Sequence, residues 1–181
     1  MNAATNLLTN FRYVTFDVVG TLIDFEGAIK DGLAYIAAKE GVELDGEEAL
    51  SIYREARYDP GAGLFPDDLG RCYSRISEKL SLPDTEEYRL HMIDMVGNAK
   101  PFPDSVAAMA ILKKHYKLIA MTNARRWAFE KYASKLGEPF WAAFTTDETG
   151  TEKPDPAFFH QVFAFVEKDG GSKDDILHTA Q

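Results

Sequence analysis

The stretch Phe11–Leu22 reads FRYVTFDVVGTL. Tyr13, Val14, Thr15, Phe16, Val18 and Val19 all favour extended backbone, and Gly20-Thr21 breaks the run. A nearly continuous apolar strand of this kind suits the centre of a parallel sheet, where both faces are covered. Its one acidic residue, Asp17, then stands at the strand's carboxyl end. A carboxylate is expensive to desolvate there unless cations or backbone donors surround it. Gly20 lets the backbone turn sharply, so that N–H groups can face that carboxylate.

Downstream the period changes from strand to helix. Ile29, Leu33 and Ile36 recur at spacings of four and three, and Gly41 ends that helix. Leu50, Tyr53 and Arg57 mark a second helix, closed by Asp59-Pro60-Gly61. Leu69, Tyr73, Ile76 and Leu80 stripe a third, and Tyr88, Met92 and Met95 a fourth. Four helices without an intervening strand predict a compact all-helical insert over residues 24–98. Beyond it, strands and helices alternate. Phe102-Pro103-Asp104 opens a helix to about His115, and YKLIAM (Tyr116–Met121) reads as a buried strand. Phe129, Tyr132, Ala133 and Leu136 stripe a helix ended by Gly137, and WAAFT (Trp141–Thr145) is a short strand. Asp155 is a good N-cap with Pro156 in the first helical position, and Ile176–Ala180 begins one more strand. The pattern predicts an α/β fold: a Rossmann-like parallel sheet core over residues 1–23 and 99–181, interrupted by the helical insert. Ligands of such sheets sit at the carboxyl ends of the strands.

Composition sets bounds around that frame. The chain has 181 residues, and 20 Lys plus Arg against 29 Asp plus Glu give a net charge of −9. An acidic surface of this kind disfavours nucleic acid and anionic lipid as partners, while a small anionic substrate can still meet a locally basic site. The single cysteine, Cys72, excludes an intrachain disulfide and any multi-cysteine metal site, and it reads as an inert helical thiol. No apolar run is long enough to span a bilayer. Met1–Asn10 lacks a basic segment followed by an apolar one, so the sequence predicts a cytoplasmic protein without a secretory signal.

Three polar positions fall at the ends of three predicted strands: Asp17, the pair Thr122-Asn123, and Lys153. Brought together, they suit nucleophilic chemistry. Asp17 would attack, Lys153 would hold it ionised, and Thr122 and Asn123 would donate hydrogen bonds to an acidic substrate.

These residues resemble the motifs of the haloacid dehalogenase superfamily. FDVVGTL is similar to its first motif, in which Gly and Thr follow the Asp by three and four positions; here these are Asp17, Gly20 and Thr21. MTNA (Met121–Ala124) resembles the second motif, with Thr122 as its hydroxyl residue, and EKPDPAFF (Glu152–Phe159) the third, with Lys153 as its lysine. The helical insert directly after the first motif resembles the superfamily's cap domain. Phosphatases of this superfamily carry a second Asp two positions after the nucleophile, as general acid and base. This chain has Val19 there, and an isopropyl group transfers no proton. A halide leaves without protonation, so the resemblance implies a hydrolase of the 2-haloacid dehalogenase branch. That branch is known for attack of the Asp on the α-carbon with inversion, then hydrolysis of the aspartyl ester. It implies Thr21, Thr122 and Asn123 around the substrate carboxylate. It implies Arg54 reaching in from the cap, with Arg57 as its near competitor. Val19 and Phe159 stand in the pocket where dehalogenases usually have tyrosines.

The fourth motif, with its acidic residue, is expected after Ile176-Leu177-His178-Thr179-Ala180, where the chain ends at Gln181. The resemblance therefore implies a chain truncated before that motif, and the expectation is no metal and no cofactor. Mg²⁺ would enter only with the alternative, a phosphatase of the superfamily; a catalytically inactive relative is the other alternative. Asp174 and Asp175 precede the last strand at its wrong end. His91, His115, His160 and His178 show no metal-ligand spacing. Arg125 and Arg126 would make the site locally basic. Trp127, Trp141 and the phenylalanines at 158, 159, 163 and 165 read as core, and an exposed subset would supply a homodimer face.

Overall fold

The computed structural model describes residues 10–181; Met1–Thr9, and with them most of the segment read for a secretory signal and the first part of the core range, lie outside the described residues. Four strands form one parallel sheet in the order β3-β2-β1-β4: β1 (Tyr13–Phe16), β2 (Lys117–Met121), β3 (Ala142–Phe144) and β4 (Ile176–Thr179). Phe16 pairs with Ala120 on one side and Thr179 on the other, so β1 is central.

Alternate residues of the inner strands serve two cores, as a period of two requires. Tyr13, Ile119 and Met121 pack against Phe158, Val162 and Val166 of helix α8 (Pro156–Lys168). Val14, Phe16, Leu118 and Ala120 join a larger cluster on the other face. That second cluster includes Phe129, Tyr132 and Ala133 of α6 (Arg126–Lys135) and runs without a break into the helical insert.

The insert is four helices, α1 (Phe25–Glu40), α2 (Gly46–Arg57), α3 (Leu69–Leu80) and α4 (Glu86–Gly97). Asp24, Asp45 and Thr85 cap α1, α2 and α4 by accepting backbone N–H groups of the first turn. Ile29, Leu33 and Ile36, the stripe read from the sequence, are fully buried. The two chain crossings pair with each other: Asp24 N–H donates to Lys100 O at 2.8 Å, and Phe102 N–H to Leu22 O at 3.0 Å. A third contact, Arg125 N–H to Phe65 O at 2.8 Å, ties the insert to the loop after β2. Gly97 packs where α4 meets α6. A Cβ there would lie 2.4 Å from Cη2 of Trp127. Gly97→Ala is accordingly expected to lower stability by about 1–3 kcal/mol through overpacking, read as a lower urea midpoint at unchanged slope.

The remaining elements are α5 (Ser105–Leu112), a four-residue α7 (Thr146–Thr149) and a 3₁₀ turn at Lys173–Asp175. Three sequence expectations are corrected. The first strand stops at Phe16, because the residues after Asp17 turn back, with Gly20 N–H donating to Ile23 O and Ile23 N–H to Val18 O. Val18 is buried in that turn rather than in a strand. Trp141, just before the edge strand β3, is 41% exposed even though its ring packs against Tyr13 and Phe165. No described helix is long and apolar enough to cross a membrane.

Candidate active site

The sheet brings Asp17 and Lys153 together across 136 positions of sequence: Lys153 Nζ donates to Asp17 Oδ1 at 2.7 Å. The ammonium also donates to Met121 O at 2.7 Å, so the end of β2 fixes its position. Lys153 and Asp17 side chains are 15% and 24% exposed, which shields the pair from solvent more than an ordinary surface salt bridge. Thr21 Oγ1 donates to Asp17 Oδ2 at 3.0 Å. Both carboxylate oxygens are thus oriented by donors, as a preorganised nucleophile requires.

The remaining residues read from the sequence are placed as follows. Thr21 spends its only hydroxyl proton on Asp17 and accepts Gln181 N–H at 3.2 Å, so in this structure it orients Asp17. Asn123 grips the backbone of Lys153 at both ends. Its Nδ2 donates to Lys153 O at 2.8 Å, and its Oδ1 accepts Lys153 N–H at 2.7 Å. It positions the lysine loop. Thr122 is buried yet lines the larger lobe of the cleft, its hydroxyl accepting Ala124 N–H at 3.1 Å. Val19 lines the cleft beside Asp17. Phe159 does not line it; the residue sits on α8 and packs against the Tyr13–Ile119–Met121 cluster. Its place in the third motif carries the ring around the helix to the far core.

Arg54 does border the cleft, but it is already partnered: Nε and Nη2 both donate to Glu26 Oε1, at 3.2 and 2.7 Å. Arg57 borders the same cleft and is held from behind, with Nη1 donating to Gly63 O and to Asp68 Oδ2, each at 2.8 Å. Arg125 and Arg126 do not make the site basic. Arg125 pairs with Asp67 at 2.6 Å and Asp147 at 2.8 Å, and Arg126 pairs with Glu148 at 2.7 Å.

The cleft has two adjoining lobes of about 530 and 670 Å³, which share Asp17, Val19, Phe25, Glu26 and Arg54. Tyr53, Phe65 and Glu152 border the larger one. Glu26 and Glu152 escaped the sequence reading, since a glutamate in the first turn of a helix is explained by the helix dipole and one in a loop by solvation. Glu152 Oε1 is buried without a hydrogen-bond partner among the described residues. Phe25 stacks edge-on against Phe65, with ring centroids 6.0 Å apart, giving the cleft an apolar wall. His178 Nδ1 lies 2.8 Å from Thr15 Oγ1, and burial together with the Lys153 ammonium holds its imidazole below the usual histidine range. Burial pushes the Cys72 thiol up to about 12, the opposite of an activated nucleophile.

The residues beside Asp17 supply few side-chain oxygens for a hard divalent cation. Both Asp17 oxygens accept protein hydrogen bonds, and the Val19 side chain offers no oxygen. Among the described residues no three His, Cys, Asp or Glu side chains gather to hold a metal ion.

A parallel sheet with an aspartate–lysine pair at the carboxyl ends of its strands, beside an inserted helical layer, is an α/β fold with a polar site at the strand ends. The family model for haloacid dehalogenase-like hydrolases matches residues 11–172, and the chain belongs to that family. No curated protein matches it significantly. Among solved structures it is similar to the L-2-haloacid dehalogenase PA0810, with a TM-score of 0.78 and 20% identity, covering 93% of this chain and 75% of that one. It is also similar to the L-2-haloacid dehalogenase of Xanthobacter autotrophicus with chloropropionic acid covalently bound (TM-score 0.70, 19% identity, 93% and 69% covered). The Bacillus subtilis protein YfnB, described as a HAD-hydrolase bound to magnesium, gives a TM-score of 0.76 at 18% identity, with 93% and 78% covered. At these identities the likeness is one of fold.

Proposed function

We propose that this hydrolase cleaves the carbon–halogen bond of a short 2-haloalkanoate. The observation that carries the reading is Val19, which lines the cleft next to the Asp17–Lys153 pair at a position where a leaving alcohol would need a proton donor. A halide needs none. An Asp17 oxygen attacks the α-carbon from the side opposite the halogen. The new C–O bond forms as the halide departs with the C–X electron pair, and the α-carbon inverts. Water then attacks Cγ of the aspartyl ester; one water proton goes to the leaving hydroxyacid oxygen, the other is released to solvent, and Asp17 returns as a carboxylate. Lys153 pairs with the Asp17 carboxylate, and Asn123 holds the Lys153 loop. The Phe25–Phe65 wall suits the alkyl part of a small anion, with an arginine from the helical layer for its charge. In this reading the enzyme works in the cytoplasm on a small anionic substrate, without nucleic acid or membrane, and mass in solution tests whether two copies pair.

The test is turnover on two substrates, 2-chloropropionate and p-nitrophenyl phosphate, the second with and without Mg²⁺. Chloride release without phosphate release is the expected result. Mg²⁺-dependent phosphate release would overturn the reading, and so would a folded protein that turns over neither.

A further inference from the structure

We infer that Glu26 is a built-in competitor of the substrate, setting how tightly the cleft takes an anion. This rests on the dehalogenation reading for its substrate, and on the geometry for its mechanism. Arg54 stands at both lobes of the cleft and is the less buried of its two arginines, its side chain 51% exposed against 20% for Arg57. Two of its N–H groups converge on one oxygen of Glu26. Glu26 itself borders both lobes, within the same wall as Asp17. An incoming carboxylate or a departing halide therefore meets a guanidinium whose charge is already matched. It must displace Glu26 from Arg54.

The neighbouring charges leave Arg54 as the cation that can change partner. Lys153 is committed to Asp17 and Met121 O. Arg57 is anchored by Asp68, whose side chain is only 4% exposed and cannot swing away. Glu26 is 38% exposed and sits in the first turn of α1, so its carboxylate can turn toward water when an anion takes its place. Lys30, one turn further along α1, is occupied by Glu47 and does not hold Glu26. Exposed ion pairs of this kind are individually weak, so exchange is feasible at ordinary substrate concentrations. The consequence is selection: a compact anion with only one charged group binds weakly. One that presents a hydrogen-bond donor to Glu26 beside its carboxylate keeps both partners of the pair satisfied and is favoured.

The experiment is steady-state chloride release by Glu26→Gln, which keeps the side chain's shape and removes its charge. KM for 2-chloropropionate is expected to fall about fivefold, the effect falling on KM rather than kcat. In the Arg54→Gln background the same substitution is expected to change KM less than twofold. An unchanged KM, or a full fivefold change that persists without Arg54, overturns the inference. If the unmodified protein releases no chloride, the dehalogenation reading has failed on its own, and Glu26 is tested by calorimetry of chloroacetate binding to Asp17→Asn. Tighter binding on adding Glu26→Gln supports the competitor role, and an unchanged Kd overturns it. Thermal melts of each variant establish that it is folded.

Discussion

Asp17→Asn is expected to abolish chloride release, by a factor on the order of 10⁴ or more, while the protein stays folded. The amide matches the carboxylate in shape but has no anionic lone pair to displace a halide. Its neighbours make the loss sharper. Lys153 Nζ and Thr21 Oγ1 both donate to Asp17, so an amide NH₂ turned toward either replaces an acceptor with a donor. Lys153 keeps Met121 O as an alternative acceptor, which is why the fold tolerates the change. The measurement is chloride release together with mass spectrometry of rapidly quenched protein. The unmodified chain should show an adduct of the alkanoate on the peptide holding Asp17, and the variant none. Residual turnover of Asp17→Asn above about 1% would remove Asp17 from the nucleophile's role.

The largest stability effect is expected at Asp68→Ala, about 3 kcal/mol, or a fall in Tm of roughly 6–12 °C. Asp68 is 7% exposed, and both of its oxygens are used: Arg71 donates to Oδ1 and Oδ2, each at 2.7 Å, and Arg57 donates to Oδ2 at 2.8 Å. Burial would push its carboxyl up, but the hydrogen bonds from Arg71, the Gly63 backbone and Arg57 outweigh it and lower the pKa from 3.8 to about 2. The sign follows. A carboxyl depressed in the folded state stabilises the fold above its unfolded value, and that contribution is lost as pH falls from 3.8 through about 2. The Tm difference between the unmodified chain and Asp68→Ala should therefore be constant above about pH 5 and shrink steeply between pH 4 and 2. A difference independent of pH across that window would mean that Asp68 acts through packing alone. Because Asp68 also anchors Arg57 at the cleft, the variant links stability of the helical layer to the shape of the site.

Much of the fold is legible in the sequence. Periods of 3.6 marked the four insert helices because each buries one face in a shared core, as Ile29, Leu33, Tyr73 and Met92 do. The strands were marked by apolar runs because both sheet faces are covered. What escaped was short or locally ambiguous. Thr146–Thr149 is four residues with a capping box, too brief to show a period. Val18 and Val19 favour extended backbone, yet hydrogen bonding turns the chain after Phe16.

The candidate site divides along the same line. Asp17 and Lys153 were readable because parallel strands must deliver their carboxyl ends to one edge, whatever lies between them in the chain. Thr21, Asn123, Thr122 and Arg54 were readable as polar residues in the right loops, but not by what they hold. A hydroxyl, an amide or a guanidinium bonds to whichever group lies within about 3 Å, and that distance is set by the packing of distant segments. Folding therefore spent Thr21 on Asp17, Asn123 on the Lys153 backbone and Arg54 on Glu26, and turned Phe159 toward the far core. Residue order along the chain carries the period of each element and the edge to which its end is delivered. The partner of each side chain is a property of three-dimensional proximity, and it appears only once the sheet and the helical layer have closed around the cleft.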